Sequence, residues 1–211
     1  MSLLSSLLEF LHIKGLAETK VVVSGSTFLL LLYRRDAATA LFLLGAISNA
    51  LLSKILKRLI NASRPTGAQL EDPGMPSSHA QSLFFFAAFL ASGAQIWSMP
   101  SSFELSPMQT VQLRAAASLA IVALAAMLTL LRVRAGLHTM AQISVGAVIG
   151  AANGASWFRT SPALLEWVAS RQLGGNAPVA LLLVVGALVV GSVERTIARV
   201  LKAKGRAAKK E

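Results

Sequence analysis

The feature that most constrains this chain is the spacing of its apolar residues. They fall in six blocks, 16–33, 37–56, 80–97, 111–131, 143–158 and 178–193, each 16–21 residues long and divided by polar segments. A helix needs about 20 apolar residues to cross a bilayer. It satisfies its own backbone hydrogen bonds, so it is the natural element to place in lipid. The two-residue alternation of a membrane β-strand is missing. The expected fold is therefore an all-α integral membrane protein, with about six transmembrane helices in a bundle. Composition agrees: 55% of residues are hydrophobic and 14% charged, against roughly 45–50% and about 25% in soluble domains. Such a chain is neither disordered nor collagen-like. It has no cysteine, which excludes disulfides, thiolate nucleophiles and thiolate metal sites. The net charge of +11 is read as attraction to anionic membrane lipid and as a determinant of orientation, not as nucleic-acid binding.

The ends and one connector have plain readings. Residues 1–14 place Leu3, Leu4, Leu7, Leu8 and Leu11 at helical spacing, as an interfacial helix would. The tail 195–211 is basic, with Arg195, Arg199, Lys202, Lys204, Arg206, Lys209 and Lys210. The segment 159–176 reads as an ordinary connector. Gly146, Gly150 and Gly154 form a stripe with a four-residue period. That stripe admits the close approach of another helix, of this chain or of a second copy in an oligomer.

Three segments between the blocks carry most of the unusual chemistry, 57–79, 99–107 and 132–142, and two of these loops bear the candidate site residues. Lys57 and Arg64 are seven residues apart at the end of the second block. On a continuing helix they share a face, and Pro65 ends that helix. Basic residues at a membrane edge often only snorkel, but two together make an anion clamp. Ser77 is a natural N-cap for the third block, with Ser78 and His79 in the first turn, where free N–H groups favour an anion. In the second loop, Arg132 offers a phosphate-matching fork. Gln142 follows His138 by four residues, so on a helix its carbonyl can accept from one imidazole nitrogen and leave the other as a nucleophile. Each feature alone has an ordinary structural reading. Together they carry two of the chain's three histidines. A serpentine path puts both loops on one face of the membrane. Glu71 and Asp72 stand alone in a loop, so no metal is expected.

Lys57-x6-Arg64-Pro65, Pro76-Ser77-Ser78-His79 and Arg132-x5-His138-x3-Gln142 together resemble the type 2 phosphatidic acid phosphatase superfamily. The resemblance covers about residues 37–158, the expected phosphatase core. Within the superfamily the chain looks closest to plastid-type (epsilon) lipid phosphate phosphatases and next to dolichyl-diphosphatases. It departs from the usual pattern at Ser78, where Gly is usual, at Gln142, where Asp is usual, and at Leu131, where Ser is usual. An Asp at 142 is expected to serve at least as well. The resemblance implies a membrane enzyme with its active site at one membrane face, taking a lipid phosphate from the bilayer and needing no cofactor. His138 would attack phosphorus and His79 would protonate the leaving oxygen. Lys57, Arg64, Ser77, Ser78 and Arg132 would hold the phosphate, and Gln142 would orient His138.

The expected reaction is hydrolysis of phosphatidate to diacylglycerol. The alternatives are a polyprenyl diphosphate phosphatase and a non-catalytic protein that binds anionic lipid. The expected place is the plastid (chloroplast) envelope, with the endoplasmic reticulum as the alternative. The Lys/Arg-rich side, facing cytosol or stroma, is expected to hold the site.

Overall fold

The computed structural model describes residues 26, 29–68, 72–96, 105–171 and 176–207. All regular structure among them is helical. Five helices follow one another: α1 (Ala37–Ile60), α2 (Ser78–Ile96), α3 (Pro107–Arg134), α4 (Met140–Ser170) and α5 (Ala177–Ala207). Residues 29–34 are also helical. The rest of the first apolar block, and the interfacial helix expected at 1–14, lie outside the described residues.

The helix starts are written locally. Asp36 caps α1, its Oδ1 accepting from the Thr39 N–H at 2.7 Å, and it pairs with Arg34 Nε at 2.7 Å. Ser106 and Gln109 form a capping box at α3, with Pro at the first position. Asn61 ends α1 in the left-handed region, at φ 48°, and returns its N–H to the Lys57 carbonyl.

One expectation needs correction. The connector 159–176 is helical as far as Ser170, in spite of Pro162. The Thr160 and Ser161 hydroxyls donate back to carbonyls of Ser156 and Trp157. Beyond them Val168 is buried in a cluster with Leu31, Ala40, Leu41 and Leu182, which repays the continuation. Among the described residues, α1 and α3 are long and apolar enough to cross a membrane by length and composition, two of the six spans expected. The helices α2 and α4 carry buried polar side chains such as His79, Gln81 and Gln142, which lower their apolar character. The apolar part of α5 is short, Ala177–Val193.

The most intimate packing is between α2 and α4. A Cβ at Gly146, Gly150 or Gly154 would run into the main-chain oxygen of Ser77, Gln81 or Phe85 respectively. The glycine stripe is thus filled by α2 of the same chain, and that face is not open to a second copy. Around this seam Asn49 and Gln81, both fully buried, bond to each other, with Gln81 Nε2 donating to the Asn49 carbonyl at 3.1 Å. Asn153 of α4 joins them at 3.1 Å. Phe42, Phe85, Phe86, Phe89 and Phe158 stack beyond. The result is a rigid mount for the polar ends of α1, α2, α3 and α4.

Candidate active site

Lys57 lies in the last turn of α1 and is buried. Because α1 ends at Ile60, Arg64 is outside the helix, and the two cations do not share a helical face as expected. They meet on Asp72 instead. Lys57 Nζ lies 2.5 Å from Asp72 Oδ2, and Arg64 Nη2 lies 2.7 Å from Asp72 Oδ1. Main-chain oxygens complete their settings: Lys57 Nζ donates to the Pro73 carbonyl at 2.8 Å, and Arg64 Nε to the Asp72 carbonyl at 2.9 Å. Asp72 therefore does not stand alone. Burial pushes its carboxyl up, but hydrogen bonds from Lys57 and Arg64 outweigh this and hold it below the usual carboxylate range. Glu71 lies outside the described residues.

Ser77 is buried at the head of α2, its Oγ accepting from the Ala80 N–H at 3.4 Å, in the manner of a cap. Its own N–H donates to the Gln142 carbonyl at 3.0 Å, tying the start of α2 to the start of α4. Ser78 and His79 occupy the first turn of α2, Ser78 half-buried and His79 buried. Gly74 passes so close to the Gln142 amide that a Cβ there would clash with it.

His138 is not on a helix. It precedes Thr139, the N-cap of α4, so His138 and Gln142 do not meet across a helical face. They meet because Thr139 and Gln142 form a capping box that folds the Gln142 side chain back over the helix start. Gln142 Oε1 accepts from the Thr139 N–H at 3.1 Å and lies 3.1 Å from His138 Nδ1. Gln142 Nε2 donates to the Ser63 carbonyl at 2.7 Å. That bond fixes which end of the amide faces the imidazole. An oxygen opposite Nδ1 assigns the proton to Nδ1 and the lone pair to Nε2. Nε2 in turn lies 3.1 Å from Arg64 Nη1, which also donates to the Leu137 carbonyl at 2.9 Å. Burial first, then the charge of Arg64, lower the His138 pKa from 6.5 to about 4; the Gln142 hydrogen bond opposes the shift, and Arg132 and Lys57 add to it. The imidazole is neutral near pH 7, with its lone pair at Nε2.

Arg132 sits in the last turn of α3, 8% exposed, and its Nε has no hydrogen-bond partner among the described residues. A buried guanidinium with an unsatisfied donor is costly unless an anion meets it. The fixed N–H directions of the α2 start favour the same sign of ligand.

The structure thus links Arg64, His138 and Gln142 by direct contacts, joins Lys57 to Arg64 through Asp72, and brings Ser77 to Gln142 through the main chain. The sequence reading missed Asp72, Thr139 and the Ser63 carbonyl. Thr139-x-x-Gln142 is a visible capping-box pattern, whereas nothing local marks Ser63. An Asp at 142 would give up the bond to the Ser63 carbonyl. Asp is one methylene shorter and has no donor for the Ser63 carbonyl.

The chain is 37% identical to lipid phosphate phosphatase epsilon 2, chloroplastic, of Arabidopsis thaliana over 142 residues, 67% of this chain and 46% of the relative. It is 37% identical to the epsilon 1 protein of the same plant over 148 residues, 70% and 50% of the two chains. Dolichyldiphosphatase 1 of Dictyostelium discoideum is 28% identical over 141 residues, 65% and 58% of the two chains. The chain spans about half the length of the two chloroplast relatives it matches. No solved structure matches it. The model of the PAP2 superfamily matches residues 37–166, a stretch that contains every one of these site residues, and the chain belongs to that superfamily.

Proposed function

We propose that this protein is a membrane lipid phosphate phosphatase that hydrolyses phosphatidate to diacylglycerol and phosphate. The observation that carries the reading is the His138 imidazole: Nδ1 is held by Gln142 at 3.1 Å, and Nε2 faces Arg64 at 3.1 Å. Nε2 attacks phosphorus, the bond from phosphorus to the lipid oxygen breaks, and His79 gives that oxygen a proton. His79 then takes a proton from water, whose oxygen attacks the phosphohistidine and releases phosphate. Lys57, Arg64, Arg132, Ser77 and the Ser78 N–H hold the non-bridging oxygens. In phosphoryl transfer this electrostatic support does most of the work, and here cationic side chains supply it without a metal.

A membrane setting with six spans is part of the proposal. Its support is the apolar surface turned outward, including Leu119, Val122 and Met127 of α3 and Val184 and Leu188 of α5. A surface of that kind suits lipid better than water. The names of the chloroplast relatives favour a plastid envelope, with residues 37–158 as the catalytic core. The dolichyldiphosphatase relative keeps polyprenyl diphosphate as the second substrate and the endoplasmic reticulum as the second location.

The test is phosphate release by the purified protein in detergent. It is offered phosphatidate, lysophosphatidate, diacylglycerol pyrophosphate and a polyprenyl diphosphate. Phosphatidate is expected to rank first, with activity unchanged by a chelator and blocked by vanadate. A polyprenyl diphosphate ranking first replaces the substrate, and activity that a chelator removes and magnesium restores defeats the metal-free chemistry.

The pH profile gives a second test. His138 attacks only as the neutral base, so activity falls as pH drops through its pKa. With that pKa at about 4, the acid limb of kcat/KM is expected well below the ordinary histidine value of about 6.5. A limb at 6 or above that follows His138 in a direct NMR titration would contradict the buried, Arg64-facing imidazole.

A further inference from the structure

The carboxylate of Asp72 stands on two cations that the proposed function assigns to phosphate. Arg64 has five N–H donors. Its Nε goes to the Asp72 carbonyl, Nη2 to Asp72 Oδ1, and Nη1 to the Leu137 carbonyl and His138 Nε2. Lys57 Nζ meets both Asp72 Oδ2 and the Pro73 carbonyl. Asp72 is the anion that now sits on both cations, so a phosphate that takes the same Lys57 and Arg64 donors must displace this carboxylate. Arg132 differs, since its Nε has no partner among the described residues.

We infer that Asp72 is an internal competitor for the phosphate seat: its carboxylate holds the Lys57–Arg64 half of the clamp, yields it to an incoming phosphate, and reclaims it as the product leaves. The inference rests on the reading of Lys57 and Arg64 as phosphate ligands. Three features favour competition over a purely positioning role. The Asp72 side chain is 52% exposed, whereas those of Lys57 and Arg64 are 10% and 6% exposed. Asp72 can therefore swing away with little loss of packing. The main-chain oxygens of Asp72, Pro73 and Leu137 still hold both cations when it does. A phosphate monoester carries close to two charges and three acceptor oxygens, enough to evict one carboxylate. A phosphodiester headgroup, with a single charge, is a poorer competitor. Asp72 would thus help the site ignore the diesters of the surrounding bilayer.

The test titrates inorganic phosphate calorimetrically into the full chain in detergent. Asp72→Asn is expected to bind phosphate roughly tenfold more tightly than the unaltered protein, the scale of losing one charged hydrogen-bonded competitor. Asp72→Glu, which keeps the charge, stays within about threefold. Asp72→Ser is read in the same way should the Asn variant not fold. In kinetics the neutral variants lower KM more than they change kcat. Equal or weaker phosphate binding by the neutral variants overturns the inference, as does a fall in kcat with unchanged binding. Tighter phosphate binding by a protein that hydrolyses no lipid phosphate leaves the inference standing and removes the proposed function.

Discussion

Replacing His138 with Ala is expected to abolish turnover, with a fall of at least about 10⁴-fold, the scale on which loss of a nucleophile acts. The reason is geometric. Gln142 spends its oxygen on the Nδ1 side and its nitrogen on the Ser63 carbonyl, so Nε2 alone is left to face phosphorus. No neighbouring side chain of the described site offers a second nucleophile in that position. His79 has a different task, and its loss has a different signature. Removal of a general acid costs about 10²–10⁴-fold, and the cost shrinks for a substrate whose leaving group needs no proton. His79→Ala given such a substrate is expected to accumulate a phosphoenzyme, because the water step also needs His79. That adduct should be labile in acid and stable in alkali, as a phosphohistidine is. Mass spectrometry of alkali-quenched protein locates it on residue 138. Near-normal turnover in His138→Ala, or an adduct on any other residue, would remove the proposed nucleophile.

The order of the three polar motifs was readable because each is local. Lys57, Arg64, His79, Arg132 and His138 lie at block ends, where composition changes abruptly. What joins them was not readable. The Lys57–Asp72 and Arg64–Asp72 contacts span 15 and 8 residues and depend on how the loop between α1 and α2 folds back. The Gln142–Ser63 bond spans 79 residues and exists only because α4 packs beside α2. Helix ends were misread for a related reason. Asn61 takes a left-handed conformation and stops α1 before Pro65 can. Near Pro162 the opposite holds: a polar stretch with a proline reads as a break, yet burial of Val168 carries α4 past it. Local propensity sets helix positions, and tertiary burial decides where they end.

Gly150→Ala is expected to be the most damaging change outside the polar site. The added Cβ would lie against the Gln81 main-chain oxygen, far inside normal contact. Backbone cannot rotate aside as a flexible side chain can, so α2 and α4 must separate. Such overpacking costs typically about 1–3 kcal/mol. It also strains the Asn49–Gln81–Asn153 bonds across the same seam. Function should suffer beyond stability, because His79 rides on α2 and Gln142 on α4. A displacement of about 1 Å between reacting groups can cost on the order of 100-fold in rate. Gly191→Ala in α5 is the matched control. Among the described residues its Cβ would meet only Arg195 Nη2, at an ordinary 3.6 Å, and Ala favours a helix interior over Gly by about 0.5–1 kcal/mol. The measurement is the thermal midpoint and kcat of both variants in the same detergent. Gly150→Ala should fall in both, and Gly191→Ala should hold or gain in the first and keep the second. A Gly150→Ala protein that melts and turns over like the unaltered chain would mean that α2 and α4 are not in backbone contact, and the mount proposed for the two histidines would go with it.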